Sequence, residues 1–266
     1  MYGIIRSGMA TAMHEISVVS NNIANSGSTG FKKSDVSFSD IYGSATPSTV
    51  ARTAVGFGSN IADTRRNDGQ GTILNRGGAL NVALVGSGMF TTSPPDETGA
   101  AAGATAFTRN GEFALDREGF LRASDGSFVQ GLTGEEGGAL ASLQVPYEVE
   151  GETLTQLEIA ADGTISATYG NSNIVTSGQL AIANFSNQGG LRNAGSSSFL
   201  QTAQSGAPIY GVAGMIGYGT IQSGALEGSN VDITQEMTVM IRAQQQFSGS
   251  ARVLQANSDM VEKLTR

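Results

Sequence analysis

Few side chains in this 266-residue sequence are of the kinds that carry out reactions. It has no cysteine and a single histidine, His14, which removes thiolate chemistry and disulfides and leaves little scope for a histidine-built metal or acid–base site. Adjacent Glu135 and Glu136 could be imagined as the acid and base of glycoside cleavage. Neighbours in a chain point apart, however, and their glycine-rich setting reads as an exposed loop. Asp116, Asp125 and Asp162 stand near glycines, as calcium-loop aspartates do, but none begins the repeated oxygen-ligand series that ends in glutamate. Hairpin turns account for them better. The stretch VGSGMF, Val85 to Phe90, lacks both the third glycine of a dinucleotide loop and the Lys-Ser/Thr of a phosphate loop, and reads as a turn in a strand pair. His14 sits near Arg6 and Glu15 and reads as a surface or interface histidine. No catalytic residue, cofactor or metal is expected, and the protein is expected not to be an enzyme.

Composition narrows the partners. The formal net charge is -8 and only 14% of residues are charged, which argues against nucleic acid, whose phosphates require clustered Lys and Arg. Lys32-Lys33 and Arg65-Arg66 are the only basic pairs. No run approaches the roughly 18 apolar residues of a bilayer span, so no membrane insertion is expected. The N-terminus lacks the basic region, continuous apolar core and cleavage site of a secretory signal. A cytosolic protein, or one exported without a cleaved signal, is the expectation.

The elements that would position these residues come in two kinds. A first helix is expected from Gly3 to about Asn25, with Ile5, Met9, Ala12, Ile16, Val19 and Ile23 at alternating spacings of four and three along one face. Gly27 and Gly30 would stop it, Phe31 would pack back beyond the break, and the amides of Asn21, Asn22 and Asn25 can bond backbone groups where it ends. The last helix has Asp232 as N-cap, Gln235 three residues on and Glu236 in the first turn. Ile233, Met237, Met240, Phe247, Ala251, Leu254 and Val261 hold a heptad register in it, interrupted by Gln244 and Ser258. Ile241 and Leu264, with Met260 beside them, form a second apolar row. The helix spans about 45 Å at 1.5 Å per residue. Met9, Met13, Met237, Met240 and Met260 suit either an ordinary core or a surface that meets partners at several geometries.

Between the helices, alternating runs broken by Asn110-Gly111, Glu118-Gly119, Asp125-Gly126 and Asp162-Gly163 predict hairpins, and 37 glycines fit that texture. The expected class is α+β: a mainly β central domain of hairpins, with N- and C-terminal helices packing together as a coiled-coil-like inner domain. The expected division is 1–33 with 226–266 as a helical assembly domain, 34–70 as an extended connector and 71–225 as a β-rich outer domain. Unpaired apolar faces on both terminal helices predict assembly with other copies.

The two ends carry a resemblance. NNIANSGSTGFKKS, Asn21 to Ser34, resembles the N-terminal signature of bacterial flagellar rod and hook proteins through Asn21, Asn22, Ile23, Ala24, Asn25, Thr29, Gly30, Phe31 and Lys32. The C-terminal GALEGSNVDITQEMTVMIRAQQQFSGSARVL is similar to that family's closing signature at Leu226, Glu227, Ser229, Asn230, Val231, Met240, Ile241, Gln244 and Phe247. It departs from the family's usual Gln-Arg-aromatic at Gln244-Gln245-Gln246-Phe247. LNVALVGSGMF, FTRNGEFALDREGFL and GQLAIANFSNQGGL resemble the family's β domain. The resemblance implies a non-enzymatic, helically self-assembling subunit of the flagellar axis. Its helices would pack with those of neighbouring subunits around the export channel and its β domain would lie outside. It would leave the cell through the flagellar type III export apparatus without signal cleavage, and transmit torque. Implied partners are copies of itself, neighbouring rod and hook proteins, the export apparatus and the rings surrounding the rod. The length favours a rod protein over a hook protein, which carries a further outer domain, while SFSDIYGS and Ala225 are hook-like.

Overall fold

The computed structural model describes residues 2–41, 56–95, 104–133, 139–149, 151–170 and 173–265. Glu135 and Glu136 lie outside them. The chain divides into two compact units, one of Met1–Ser26, Lys33–Asn67 and Val231–Arg266 and the other of Gly27–Lys32 and Asp68–Asn230. The first is helical in character and the second is built of strands.

In the helical unit, α1 (Tyr2–Ala24) and α2 (Ile233–Thr265) pack against one another. They run antiparallel, since Asn22 meets Glu236 near one end while Gly8 lies beside Ser250 towards the other. Asp232 caps α2 as its type predicts: its carboxylate accepts the N–H groups of Thr234 and Gln235 at 2.9 and 3.2 Å, and its carbonyl accepts that of Glu236. This satisfies donors that would otherwise be orphaned in the first turn. At 33 residues α2 is about 50 Å long.

The stretch expected to be an extended connector, 34–70, holds a strand pair among its described residues. Strand β1 (Ser34–Asp40) pairs antiparallel with β2 (Ser59–Arg66), from Ser34 opposite Arg66 to Asp40 opposite Ser59, with a bulge at Ser37/Phe38. Both strands lie on α1. From β2, His14 Nε2 and Thr64 Oγ1 are 3.0 Å apart, Thr11 Oγ1 and Ser59 Oγ are 3.3 Å apart, and the Ser59 N–H donates to Ser7 Oγ, while Ser34 of β1 is bonded through its backbone to Asn22. Serine and threonine obscured the strands in the sequence because here they serve as the contact itself. The Ser59 and Thr64 hydroxyls each meet a polar side chain of the helix.

The β unit holds a sheet of fourteen strands among the described residues. Its main path runs antiparallel through Glu152–Ile159, Thr164–Tyr169, Asn173–Leu180, Phe128–Thr133, Met89–Ser93, Ala106–Thr108, Ser198–Leu200 and Arg192–Gly195. Glu118-Gly119, Asp125-Gly126 and Asp162-Gly163 make the expected turns, each with its glycine at φ between 79° and 86°. Asn110-Gly111 does not close a hairpin, since the strands on either side pair elsewhere. Gly111 is needed for a different reason: a Cβ there would collide with the Val82 carbonyl. Val85 to Phe90 is likewise a turn, but it joins strands that belong to different pairs. Phe90, Phe113, Leu121, Ile165, Tyr169, Leu180 and Ile182 centre the larger core, and Phe107, Phe185 and Phe199 a second one.

Candidate assembly interface

The N-terminal signature is shared between the units along the chain, and each part is anchored by a buried carboxylate. In the helical unit the anchor is Glu236. Asn22, 1% exposed, donates from Nδ2 to Glu236 Oε2 at 3.0 Å and to the Ser34 carbonyl at 2.9 Å, while its Oδ1 accepts the Ser34 N–H at 3.0 Å. One amide thus ties the end of α1 to the start of β1 and the first turn of α2. Lys33 Nζ reaches Glu236 Oε1 at 3.2 Å and Asp35 Oδ1 at 3.4 Å. Burial alone would lower the Lys33 ammonium, but the two carboxylates outweigh it and hold its pKa above the ordinary lysine value. Beside this cluster Val18, Val19, Val36, Val239 and Glu15 line a groove of about 180 Å³, and burial raises the Glu15 carboxyl.

In the β unit the anchor is Glu227, with a side chain shut off from solvent. Its Oε1 accepts Lys32 Nζ at 2.5 Å and the Gly71 N–H at 2.9 Å, and its Oε2 accepts Arg109 Nη1 at 3.2 Å. Lys32 also donates to the Gly69 carbonyl, and Arg109 to those of Leu84 and Gly86. Burial lowers the pKa of both cations and Glu227 partly restores it. Gly30 donates its N–H to the Glu227 carbonyl at 2.8 Å. Its φ is +66°, and a Cβ there would stand 2.6 Å from the Asn110 nitrogen, so only glycine fits both the conformation and the approach. Gly27, expected to share that role, does not adopt a positive φ.

The expected interface residues separate accordingly. Val19 is buried and Ile5, Met9, Ile16 and Ile23 half-buried, on the face of α1 that includes fully buried Ala12. Asn25 closes the helix by donating from Nδ2 to the carbonyl of exposed Asn21 at 2.9 Å. Leu226, expected to open the helical domain, is instead buried in the β unit, in a strand pair where it opposes Leu74. Asn230, also in that unit, donates to the Gly69 carbonyl at 3.0 Å and through its N–H to the carbonyl of half-buried Phe31. Val231 is half-buried. On α2 the covered row is Glu236, Met240, Ala243, Phe247 and Leu254, with Ala243 fully buried. It shares Met240, Phe247 and Leu254 with the expected register but runs through Ala243, not Gln244. Ile233, Met237, Ile241 and Val261 stand exposed instead. Arg109 and Glu227 were not among the expected site residues. An arginine beside Asn110-Gly111 looks like a turn residue in sequence, and its partner is 118 positions away.

Among the described residues no group of three or more His, Cys, Asp or Glu could hold a metal ion, and no helix is long and apolar enough to cross a membrane. Residues 4–32 match the family described as flagella basal body rod protein. Residues 83–167 match the D1 domain of flagellar hook protein FlgE/F/G, and residues 222–266 the C-terminal region of the flagellar basal body rod FlgEFG proteins. The flagellar basal-body rod protein FlgG of Agrobacterium fabrum is 31% identical, over 99% of this chain and 97% of its own length. The protein of the same name from Bacillus subtilis is 31% identical over 97% and 95%. The flagellar hook protein FlgE of Treponema pallidum is 37% identical over 44% of this chain and 26% of its own length.

Proposed function

The chain belongs to the flagellar basal-body rod and hook protein family, and we propose that within it this protein is a structural subunit of the basal-body rod. Rod is favoured over hook because the similarity to rod proteins runs the full length of both chains, whereas the hook relative matches over a quarter of its own. In this reading the protein performs no reaction. It assembles helically with copies of itself and neighbouring axial proteins around the export channel, within the surrounding rings, and transmits torque. It reaches that place through the flagellar export apparatus.

The observation that carries the reading is the helical unit's unfinished packing. Among the described residues, two helices and a hairpin together bury three apolar side chains almost completely, Ala12, Val19 and Ala243, while Ile233, Met237, Ile241, Val261 and Leu264 remain exposed along α2. Burial of an apolar side chain stabilises by about 1.5–3 kcal/mol, so these rows favour a state in which further helices cover them. We infer that α1 and α2 complete a coiled-coil-like bundle in the assembled rod, with Ile5, Met9, Ile16, Ile23, Met240, Phe247 and Leu254 setting the seam. Removal of residues 231–266 tests this. The truncated chain should keep a folded β unit and fail to enter basal bodies, and normal rods built from it would refute the reading.

A further inference from the structure

We propose that the groove beside Glu15 is a docking site for a lysine or arginine side chain carried by a partner protein of net positive charge. The inference goes beyond the rod reading and does not depend on it. Three elements of the helical unit converge on this groove of about 180 Å³: Val18 and Val19 come from α1, Val36 from β1 and Val239 from α2. Val19 is buried and the other three are half-buried, so four branched apolar side chains line a surface that solvent still reaches. Glu15 precedes Val18 and Val19 by three and four residues, on the same face of α1, and adds a carboxylate to that lining. The other two acids along the groove are already engaged. Lys33 meets Glu236 at 3.2 Å and Asp35 at 3.4 Å, and Asn22 also donates to Glu236. Glu15 differs, since burial raises its carboxyl and, among the described residues, no cation opposes that effect.

The lining selects the occupant. An apolar side chain would cover the valines but strip water from an unpaired carboxylate, a penalty that works against the gain from burying them. A basic side chain avoids the conflict: its methylene stem lies on the valines while its head neutralises Glu15. An acidic occupant is repelled by three carboxylates set against one lysine. A metal ion is disfavoured because, among the described residues, no three acidic or histidine groups come together to hold one. At about 180 Å³ the groove has room for one long side chain and falls below the roughly 300–1,000 Å³ of small-molecule pockets. Charge also chooses the source. Helix faces can join copies through apolar contact, but a contact built on charge favours a partner of opposite sign over a second copy with the same net charge of -8.

The test uses the full-length chain with isotope-labelled valine methyls, followed by NMR. The probes are n-butylammonium, a lysine side chain without its backbone, and n-butanol, which has the same stem without the charge. n-Butylammonium should shift Val18, Val36 and Val239 saturably and leave Val82 and Val129, in the core of the β unit, unmoved. n-Butanol should bind about fivefold or more weakly. Glu15→Gln should erase this preference for the cation, with unchanged Val82 and Val129 signals showing that the chain is folded, whereas Glu118→Gln, an exposed turn residue of the β unit, should keep it. Poly-L-lysine should reproduce the valine shifts and poly-L-glutamate should not. Equal binding of the two small probes, an equal loss in Glu118→Gln, or no shift at the valines would overturn the proposal. A response to n-butylammonium without one to poly-L-lysine would mark a small-amine site closed to proteins and also overturn it. So would valine shifts that appear on concentrating the chain alone and vanish in Glu15→Gln, which would assign the groove to a second copy. The rod reading survives each of these failures, because its own test is the removal of residues 231–266.

Discussion

The two units treat the same resource, a buried carboxylate facing a lysine, in different ways. In the β unit Glu227 and Lys32 are sealed at 0% and 2% side-chain exposure, with Arg109 as a second cation, and the unit holds two aromatic-centred cores. In the helical unit Glu236 meets Lys33 at 5% and 13%, supported by one asparagine and almost no fully buried apolar side chain. A closed core lets a unit hold desolvated charges because the geometry around them cannot relax. An open one leaves its ion pair less completely sealed and its helices short of neighbours. Completeness in the one and incompleteness in the other is the arrangement expected of a subunit that folds by itself at one part and by association at the other.

The largest break in that contrast should come from Glu227→Ala, which strands Lys32 and Arg109 without their counter-charge. We expect a loss of about 3–5 kcal/mol, read as thermal or denaturant unfolding of the β unit. Gly30→Ala should cost about 1–3 kcal/mol through its positive φ, with added cost from the clash at Asn110; an unchanged melting temperature would contradict the account of that residue. Glu236→Ala should cost about 1–3 kcal/mol and act locally. Amide exchange should quicken in α2's first turns and at the start of β1, and remain as slow as before in strands such as Thr164–Tyr169. Met237→Ser should fall within about 0.5 kcal/mol for the isolated chain yet weaken polymerisation, a dissociation that sedimentation and melting measured together would reveal.

The smallest effect concerns pH and separates the adjacent lysines. Lys33 has its folded-state pKa raised, so its contribution is fully present below the unfolded lysine value and is lost as pH rises through the folded one. Lys32 has its folded-state pKa lowered by burial, so its charged form carries a penalty that is relieved as pH rises from the folded value to the unfolded one. In an NMR titration of the two side chains Lys32 should lose its proton first. Simultaneous titration would remove this part of the contrast.

Local patterns announced most elements. The four-three spacing from Ile5 to Ile23 marks the face that α1 turns inward, Asp232 caps α2, and three of the Asp/Glu/Asn-Gly pairs sit in turns with glycine at positive φ. The register of α2 was less legible. Two apolar rows run side by side on it, and periodicity does not say which a neighbour covers; the choice fell one residue away, at Ala243, because Glu236 is drawn inward by Asn22 and Lys33. The hairpin of β1 and β2 was hidden for a related reason, several of its contacts with α1 being made by polar groups, as at Ser59, Thr64 and Ser34.

What the sequence determined alone is what depends on near neighbours: helix ends, glycine turns, the β texture between two helices, and the missing chemistry of cysteine and histidine. Tertiary structure decided the rest. It drew Leu226 and Glu227 into the β unit, paired Arg109 with a carboxylate 118 positions on, and left Ile233, Met237 and Ile241 facing solvent. The reason is that burial and charge pairing are set by distance in space, and a side chain's own type fixes only that it needs a partner, not which one the fold supplies.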